Sequence, residues 1–380
     1  MEKLNIIQIA DKLNAGAGVP NFVFDLCAAL RSAGNQVTLI GLLENTAEVP
    51  DQIKELEEAG VSVIQLGGKS KKDAILHDVP RLRKVIRERA GEEPTICNLH
   101  LKVSVLMGAL ATIGLKNVKC VETYHNMYHH YHLEHYVLMP RIKKYVTVSE
   151  TAREEMFRRF HTPKRKVVAA PNGIDVKETR RIAGAASAER DEKVITVTTV
   201  ARLSYEKNVG APIEAFRELC NERLRYVIIG DGPQRDELRA KATNEYVEFK
   251  GYRPREEVLS SLANSDLVVL PSLWEGRSIL MMEAMALGRP MMIADAPGIR
   301  EPFAEPALRE DELYRRSKFG YLVRTKEIKS YQAALRDFVE HPELHEKMMN
   351  YVYEKSEACD VSIMLSKYVE TYKTVLDIKA

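Results

Sequence analysis

No apolar run in this chain of 380 residues is long enough to span a bilayer. The start, Met1-Glu-Lys-Leu-Asn-Ile-Ile-Gln-Ile-Ala10, has charges but neither a long apolar core nor a small-residue cleavage site. The expected location is therefore cytosolic. Cysteine is sparse: Cys27, Cys97, Cys120, Cys220 and Cys359 are odd in number, scattered and without metal-type spacing, and read as reduced structural thiols. A net charge of +2 is too small to imply a nucleic-acid partner. No repeat at solenoid spacing and no low-complexity tract is present. With 45% hydrophobic and 29% charged residues, the composition excludes disordered and fibrous classes and leaves an ordinary globular protein.

Basic residues do gather locally, in Lys69-Ser-Lys-Lys72, in Arg81-Leu-Arg-Lys84-Val-Ile-Arg87-Glu-Arg89 and in Arg158-Arg-Phe-His-Thr-Pro-Lys-Arg-Lys166. Each is readable as a solvated helix face or as a contact with an anionic membrane.

The length exceeds what one core usually supports, so two domains are expected. In the first part, short apolar runs alternate with amphipathic segments: strand Leu4–Ala10, helix Asn21–Ala33, strand Gln36–Ile40, helix Pro50–Ala59, strand Val61–Gln65, then strands at Thr95–Leu99, Lys119–Thr123 and Tyr145–Val148. A second series runs from strand Val194–Val200 to strand Met291–Ala294. Such alternation makes βαβ units and parallel sheets the economical solution. The fold class expected is α/β, two doubly wound Rossmann-like domains facing across a cleft, with ligands beyond the carboxyl ends of the strands. The domains are placed at residues 1–178 and 193–358, joined by a linker at 179–192 rich in Ala and Arg, with a C-terminal helix at 359–380 returning to the first domain.

The most informative stretch is Pro271-Ser-Leu-Trp-Glu275-Gly-Arg277-Ser278-Ile-Leu-Met-Met-Glu283-Ala-Met-Ala-Leu-Gly288-Arg-Pro290. The run Leu267–Leu270 before it reads as a buried strand, Glu275–Arg277 as a turn, and Ser278 onward as a helix ending at Gly288. Free backbone N–H groups at that helix start suit a phosphate or a sugar hydroxyl. Glu275 and Glu283 are separated by on the order of 10 Å along a helix axis, with different headings. That suits two ends of one long ligand better than the acid/base pair of a glycoside hydrolase, whose carboxyl groups flank a single bond. A carboxylate accepting from vicinal hydroxyls is one way to hold a ribose or a hexose.

Three other loops follow predicted strands. Asn14-Ala-Gly16-Ala-Gly18-Val lets backbone approach an anion at a helix start but lacks the third glycine of a dinucleotide fingerprint. Ala201-Arg202-Leu-Ser-Tyr-Glu-Lys207-Asn208 brings a guanidinium and an ammonium to one strand end, a pair able to neutralise a leaving diphosphate without a metal. Ile229-Gly-Asp-Gly232-Pro233 either cradles a base or phosphate or merely turns the chain.

Taken together, Arg202 with Lys207, Gly230-Asp-Gly-Pro233, Gly251, and Glu275 with Glu283 ahead of Gly288-Arg-Pro290 resemble the family-four (GT4) retaining glycosyltransferases of the GT-B fold. Gly18, Thr123-Tyr-His125-Asn126, Val148-Ser-Glu150 and Pro171-Asn172-Gly-Ile-Asp175 fall in the same order, so the resemblance covers nearly the whole chain. It implies that Arg202 and Lys207 hold the donor diphosphate and that Glu283 takes the ribose hydroxyls. It puts Glu275 against the donor sugar and His125 near the sugar's far hydroxyl. Gly18, Ser278 and Ile279 would contribute backbone, with Asn172, Gly232 and Arg277 among the substrate-binding set. The residues expected to be catalytic are His125, Glu275, Arg202 and Lys207. In this family the departing phosphate takes the acceptor's proton, so no dedicated base, metal or other cofactor is implied.

Two positions depart from the pattern. Arg277 stands where a bulky apolar or small residue is more frequent, and either points into the pocket or outward to solvent, the outward reading being preferred. Pro20 replaces a polar or acidic residue. His125, His129, His130, His132 and His135 cluster with Tyr124, Tyr128, Tyr131 and Tyr136, and an acceptor-side loop is preferred over a metal site.

The expected function is transfer of a sugar, UDP-linked by preference, to a glycan or lipid-linked acceptor in bacterial surface polysaccharide synthesis, with contact to an anionic membrane at the inner face of the cell and no nucleic acid. Readings that keep the fold are a nucleotide-sugar 2-epimerase and a phosphorylase; a third is a non-catalytic partner subunit.

Overall fold

The computed structural model describes residues 3–14, 18–45, 51–68, 77–125, 132–185 and 193–378. The chain divides into two compact units, Met1–Asn172 with Val361–Ala380, and Gly173–Asp360.

The first unit is built on β1 (Asn5–Ala10), β2 (Gln36–Leu43), β3 (Ser62–Gly68), β4 (Thr95–His100), β5 (Val118–Tyr124), β6 (Ile142–Thr147) and β7 (Val167–Ala169). Among the described residues they form a seven-stranded sheet of order β3-β2-β1-β4-β5-β6-β7, parallel throughout. A parallel sheet is covered on both faces, so its strands read as continuous apolar runs whose side chains alternate between two cores. Ile7 and Ile9 pack on one side with Leu82, Ile86, Met107 and Met156. Leu4, Ile6 and Ala10 pack on the other with Phe22, Leu26 and Leu30 of the helix Gly18–Ser32 and with Met364, Tyr368 and Tyr372 of the helix Val361–Val375.

The second unit holds β8 (Ile195–Val200), β9 (Leu224–Ile229), β10 (Val247–Gly251), β11 (Leu267–Leu270), β12 (Met291–Ala294), β13 (Tyr314–Ser317) and β14 (Gly320–Val323), in the order β10-β9-β8-β11-β12-β14-β13. Only β13 runs antiparallel among the described strands, as the first arm of a hairpin with β14. Val268 and Leu270 face one core, Leu267 and Val269 the other.

Sequence and structure differ at the linker and at the shortest strands. The linker expected at 179–192 is helical up to residue 185, within a helix Val176–Ala185 that buries Val176, Thr179 and Ala183. Its Arg180 donates to the Ala286 carbonyl at 3.0 Å and to Ser356 Oγ at 2.9 Å, so it belongs to the second unit. Residues 186–192 lie outside the described set, and the boundary falls earlier, between Asn172 and Gly173. Small residues and arginines resemble a linker because the contacts that hold them come from residues far away in sequence. The short strands β7, β13 and β14 are absent from the sequence reading; β7 has only three residues and Tyr314-Arg-Arg-Ser317 is not an apolar run. All five cysteines are free and buried. No described helix is long and apolar enough to cross a membrane.

Candidate functional site

Among the parallel strands of each sheet the order reverses once, between β1 and β4 and between β8 and β11. Loops leaving the carboxyl ends at such a point diverge and open a crevice. The sequence puts Gly18 after β1, Arg202 and Lys207 after β8, and Glu275, Arg277 and Ser278 after β11.

In the second unit, Ala201–Asn208 leaves β8 and Pro271–Ser278 leaves β11. They are tied together by Leu273 N–H donating to the Glu206 carbonyl at 2.8 Å and by Asn208 Nδ2 donating to the carbonyls of Pro271 and Thr325 at 3.1 and 2.6 Å. Asn208 takes a left-handed conformation, φ 50°, which asparagine tolerates better than most residues. Lys207 Nζ donates to Glu275 Oε1 in an ion pair, and Ser272 Oγ donates to the same oxygen at 2.9 Å. The side chains of Lys207 and Glu275 are 27% and 14% exposed, sheltered enough for the pair to hold its geometry yet open to a ligand. Arg202 is exposed on the same loop.

Glycines explain how closely the loops pack. A Cβ on Gly232 would lie 2.7 and 2.8 Å from Leu203 N and C, and one on Gly230 would overlap the Ala201 carbonyl. The Gly230–Pro233 turn therefore lies against the β8 loop, a packing reason for its glycines. Gly298, after β12, has φ +82°, and a Cβ there would overlap the Glu275 carbonyl and lie 3.1 Å from that of Gly276. Gly298 thus supports the backbone of the Glu275 turn, a role that sequence spacing gives no means of finding.

Ser278 caps the helix Ile279–Ala286, its Oγ accepting from Met281 N–H at 3.4 Å. Glu283 on that helix is 8% exposed, with Arg255 Nε 3.5 Å from its Oε1. Arg255, from the helix Arg255–Ala263, carries no signal of its own in the sequence. Arg277 does not turn to solvent, contrary to the outward reading: it is half-buried and its guanidinium donates to Cys359 Sγ at 3.5 Å. Cys359 is brought there by a bridge between Ile174 and Asp360, a pairing invisible in local sequence.

In the first unit, Gly18 opens the helix Gly18–Ser32. Asp11, at the end of β1, accepts from Ser104 N–H at 2.8 Å and Val103 N–H at 3.4 Å, capping the helix Lys102–Ala111 that follows β4. Asn172, 7% exposed, closes the unit and donates its N–H to the Val148 carbonyl at 3.3 Å.

His125 follows β5 and is half-buried. Its Nε2 lies 2.9 Å from Nδ1 of His100, a fully buried residue at the end of β4. Burial pushes the His125 imidazole down to about 3. Burial, and then His125, hold His100 well below the usual histidine range. At neutral pH both rings are uncharged. His100 Nε2 lies 2.7 Å from Gln8 Oε1 and 3.2 Å from Asn98 Nδ2, and Asn98 in turn donates to Thr123 Oγ1 at 3.0 Å; the sequence reading does not place Gln8, Asn98 or His100 in the site. The available signal is a pair of polar residues two apart on β4, Asn98 and His100, after the apolar Ile96 and Cys97 and on either side of Leu99. Of the His/Tyr cluster, residues 126–131 lie outside the described set. His135 Nε2 meets Thr162 Oγ1 at 3.0 Å, and no described group of three or more His, Cys, Asp or Glu is placed to hold a metal ion.

Comparison with known proteins adds an independent line. Residues 16–178 match the family model described as Glycosyltransferase Family 4, and residues 183–355 that of Glycosyl transferases group 1. The chain is 29% identical over 213 residues to the alpha-D-kanosaminyltransferase of Streptomyces kanamyceticus, covering 53% of this chain and 52% of that protein. It is 29% identical over 189 residues to the putative colanic acid biosynthesis glycosyltransferase WcaL of Salmonella typhimurium, covering 46% and 43%. The matched stretches thus take in about half the length of these curated relatives. Among solved structures, Anabaena Alr3699/HepE in complex with UDP-glucose superposes with a TM-score of 0.74 at 18% identity, over 97% of this chain and 99% of that one, a likeness of fold. Two family models that meet near residue 180 and leave only short ends unmatched show that the chain belongs to the family-four glycosyltransferases.

Proposed function

We propose that the chain is a retaining glycosyltransferase that moves a sugar from a nucleotide-diphosphate donor, UDP-linked, to a glycan or lipid-linked acceptor, using no metal or other cofactor. The observation that carries this reading is the Lys207–Glu275 ion pair at the point where the second sheet reverses order. It sets a cation for a diphosphate beside a carboxylate for sugar hydroxyls.

On this reading Arg202 and Lys207 neutralise the diphosphate as the glycosidic bond breaks, a stabilisation worth most where water is excluded. Glu275 accepts from the donor sugar and Glu283 from the ribose. Gly18, Ser278 and Ile279 contribute backbone to phosphate or sugar, and Asn172, Gly232 and Arg277 belong to the substrate-binding set. His125 contacts the sugar's far hydroxyl. The acceptor oxygen bonds to the anomeric carbon on the face that the phosphate leaves, and the leaving phosphate oxygen takes the acceptor's proton. A site supplied with cations and hydroxyl acceptors, but with its histidines held neutral, suits that route better than one needing an enzymic base.

Surface polysaccharide assembly at the cytoplasmic face of a membrane is the context we favour. The name of the Salmonella relative supports it. So does an exposed set comprising Ile113, 52% exposed, and Val137, 65% exposed, with the basic residues Arg158, Lys164 and Arg165 also exposed in the same unit.

A thermal-shift panel of UDP-, GDP- and ADP-sugars and their parent diphosphates, with and without EDTA, tests the donor site on wild type and Glu283→Ala. Stabilisation by UDP compounds alone, indifferent to EDTA and lost in the variant, is expected. No response to any nucleotide refutes the assignment.

A further inference from the structure

Among the buried polar side chains of the first sheet, four meet at its centre: Gln8 on β1, Asn98 and His100 on β4, and Thr123 on β5. None is more than 1% exposed. Groups so buried persist only when their hydrogen bonds are made. The strand register brings them together, with Gln8 beside Asn98 and His100 beside Thr123.

The direction of each bond follows from the next. Gln8 Nε2 donates to Tyr372 Oη at 3.2 Å, which leaves Gln8 Oε1 facing the strands. That oxygen accepts from Asn98 Nδ2 at 2.9 Å and lies 2.7 Å from His100 Nε2. A carbonyl oxygen has no hydrogen to give, so His100 carries its proton on Nε2 and a lone pair on Nδ1. His100 Nδ1 is 2.9 Å from His125 Nε2, a contact that places a hydrogen on His125 Nε2 and leaves the lone pair on His125 Nδ1. Phe22 meets the His125 ring edge-on, centroids 4.9 Å apart at 78°, and limits its rotation.

We propose that His100 is a positioning residue for His125: through the chain Gln8–His100–His125 it fixes the neutral tautomer whose Nδ1 accepts a hydrogen bond from a donor-sugar hydroxyl. The proposal rests on the reading of His125 as a sugar contact and narrows it. An imidazole held neutral in one tautomer offers an acceptor and no proton, so its part is hydroxyl recognition rather than acid–base work. Tyr372 and Tyr368, the latter with its Oη 3.2 Å from Thr123 Oγ1, tie this relay to the helix Val361–Val375.

Two near-isosteric variants separate the ends of the His100 ring. In His100→Asn the side-chain oxygen replaces Nδ1 and still accepts from His125. In His100→Gln the amide replaces Nε2, keeps the contact with Gln8, and leaves His125 Nε2–H without its acceptor. The full chain, carrying isotope-labelled histidine, is followed by long-range proton–nitrogen correlation spectra, with His125 assigned as the signal lost in His125→Ala. A pure Nε2–H pattern is expected in wild type and His100→Asn, and a mixture of tautomers in His100→Gln. The same proteins are titrated with UDP-glucose and with UDP. The preference for UDP-glucose should fall about 5–10-fold in His125→Ala and His100→Gln, the scale of one neutral hydrogen bond. It should hold within about twofold in His100→Asn, a split that a merely structural role would not produce. An unchanged His125 tautomer in His100→Gln overturns the proposal. A preference for UDP-glucose unmoved by His125→Ala sinks the sugar-contact reading instead, whatever the tautomer.

Discussion

Gly298→Ala sets a conformational cost and a contact cost in one substitution, and Gly251→Ala separates them. Both glycines have positive φ, +82° and +67°, but a Cβ on Gly251 meets nothing within 4 Å, whereas one on Gly298 overlaps the Glu275 backbone. The left-handed conformation costs a non-glycine residue about 1–2 kcal/mol. Relieving overlap with a backbone carbonyl adds roughly 1–3 kcal/mol, the range for overpacking. Gly251→Ala should therefore lose about 1–2 kcal/mol and Gly298→Ala about 2–5 kcal/mol. In a unit of this size that corresponds to a melting shift of roughly 2–4 °C per kcal/mol. Because the displaced backbone carries Glu275, Gly298→Ala should also weaken UDP-glucose binding, read by calorimetric titration. If the two variants melt together, Gly298 does not support the Glu275 turn and its close approach costs nothing.

Lys207→Ala removes the cation beside Glu275 and leaves that carboxylate with Ser272 Oγ, so UDP should bind about 10–100-fold more weakly, the scale of a charge-assisted hydrogen bond; unchanged affinity in a calorimetric titration would contradict the diphosphate role. Glu122→Gln tests a shielded carboxyl, since desolvation raises the half-buried Glu122 carboxyl from 4.5 to about 8. A raised value stabilises the fold fully below about 4.5, and that contribution is lost as pH rises toward 8. Wild type should lose up to about 3 kcal/mol relative to Glu122→Gln between pH 5 and 8, by urea midpoints. The difference between the two proteins cancels His100 and His125, whose lowered values act in the opposite sense, stabilising above the ordinary histidine range and failing as pH falls. Parallel pH profiles for the two proteins would refute a raised carboxyl at Glu122.

Much of the candidate site is legible in the sequence because its residues sit next to strong local signals. Leu267–Leu270 announces a strand, Ser278 a helix start and Gly288 a stop, so the turn carrying Glu275 is placed by local pattern alone. The Arg202–Lys207 loop follows from the strand before it in the same way. His100, Gln8 and Asn98 escape such reading because a polar residue in a strand has meaning only once its neighbours across the sheet are known. Arg277 is directed outward by the sequence because nothing within reach along the chain could receive it, while Cys359 arrives from 82 positions away.

Periodicity, turn chemistry and helix capping act over a few residues, and they suffice for the strand and helix alternation, the two parallel sheets it requires, and the loops that bear the candidate ligands. They do not reach the pairing of Lys207 with Glu275, the support that Gly298 gives that turn, or the hold of His100 on His125. Each of these depends on register and on contacts between residues distant in the chain, where hydrogen-bond satisfaction and close packing choose among arrangements that local propensity leaves equal.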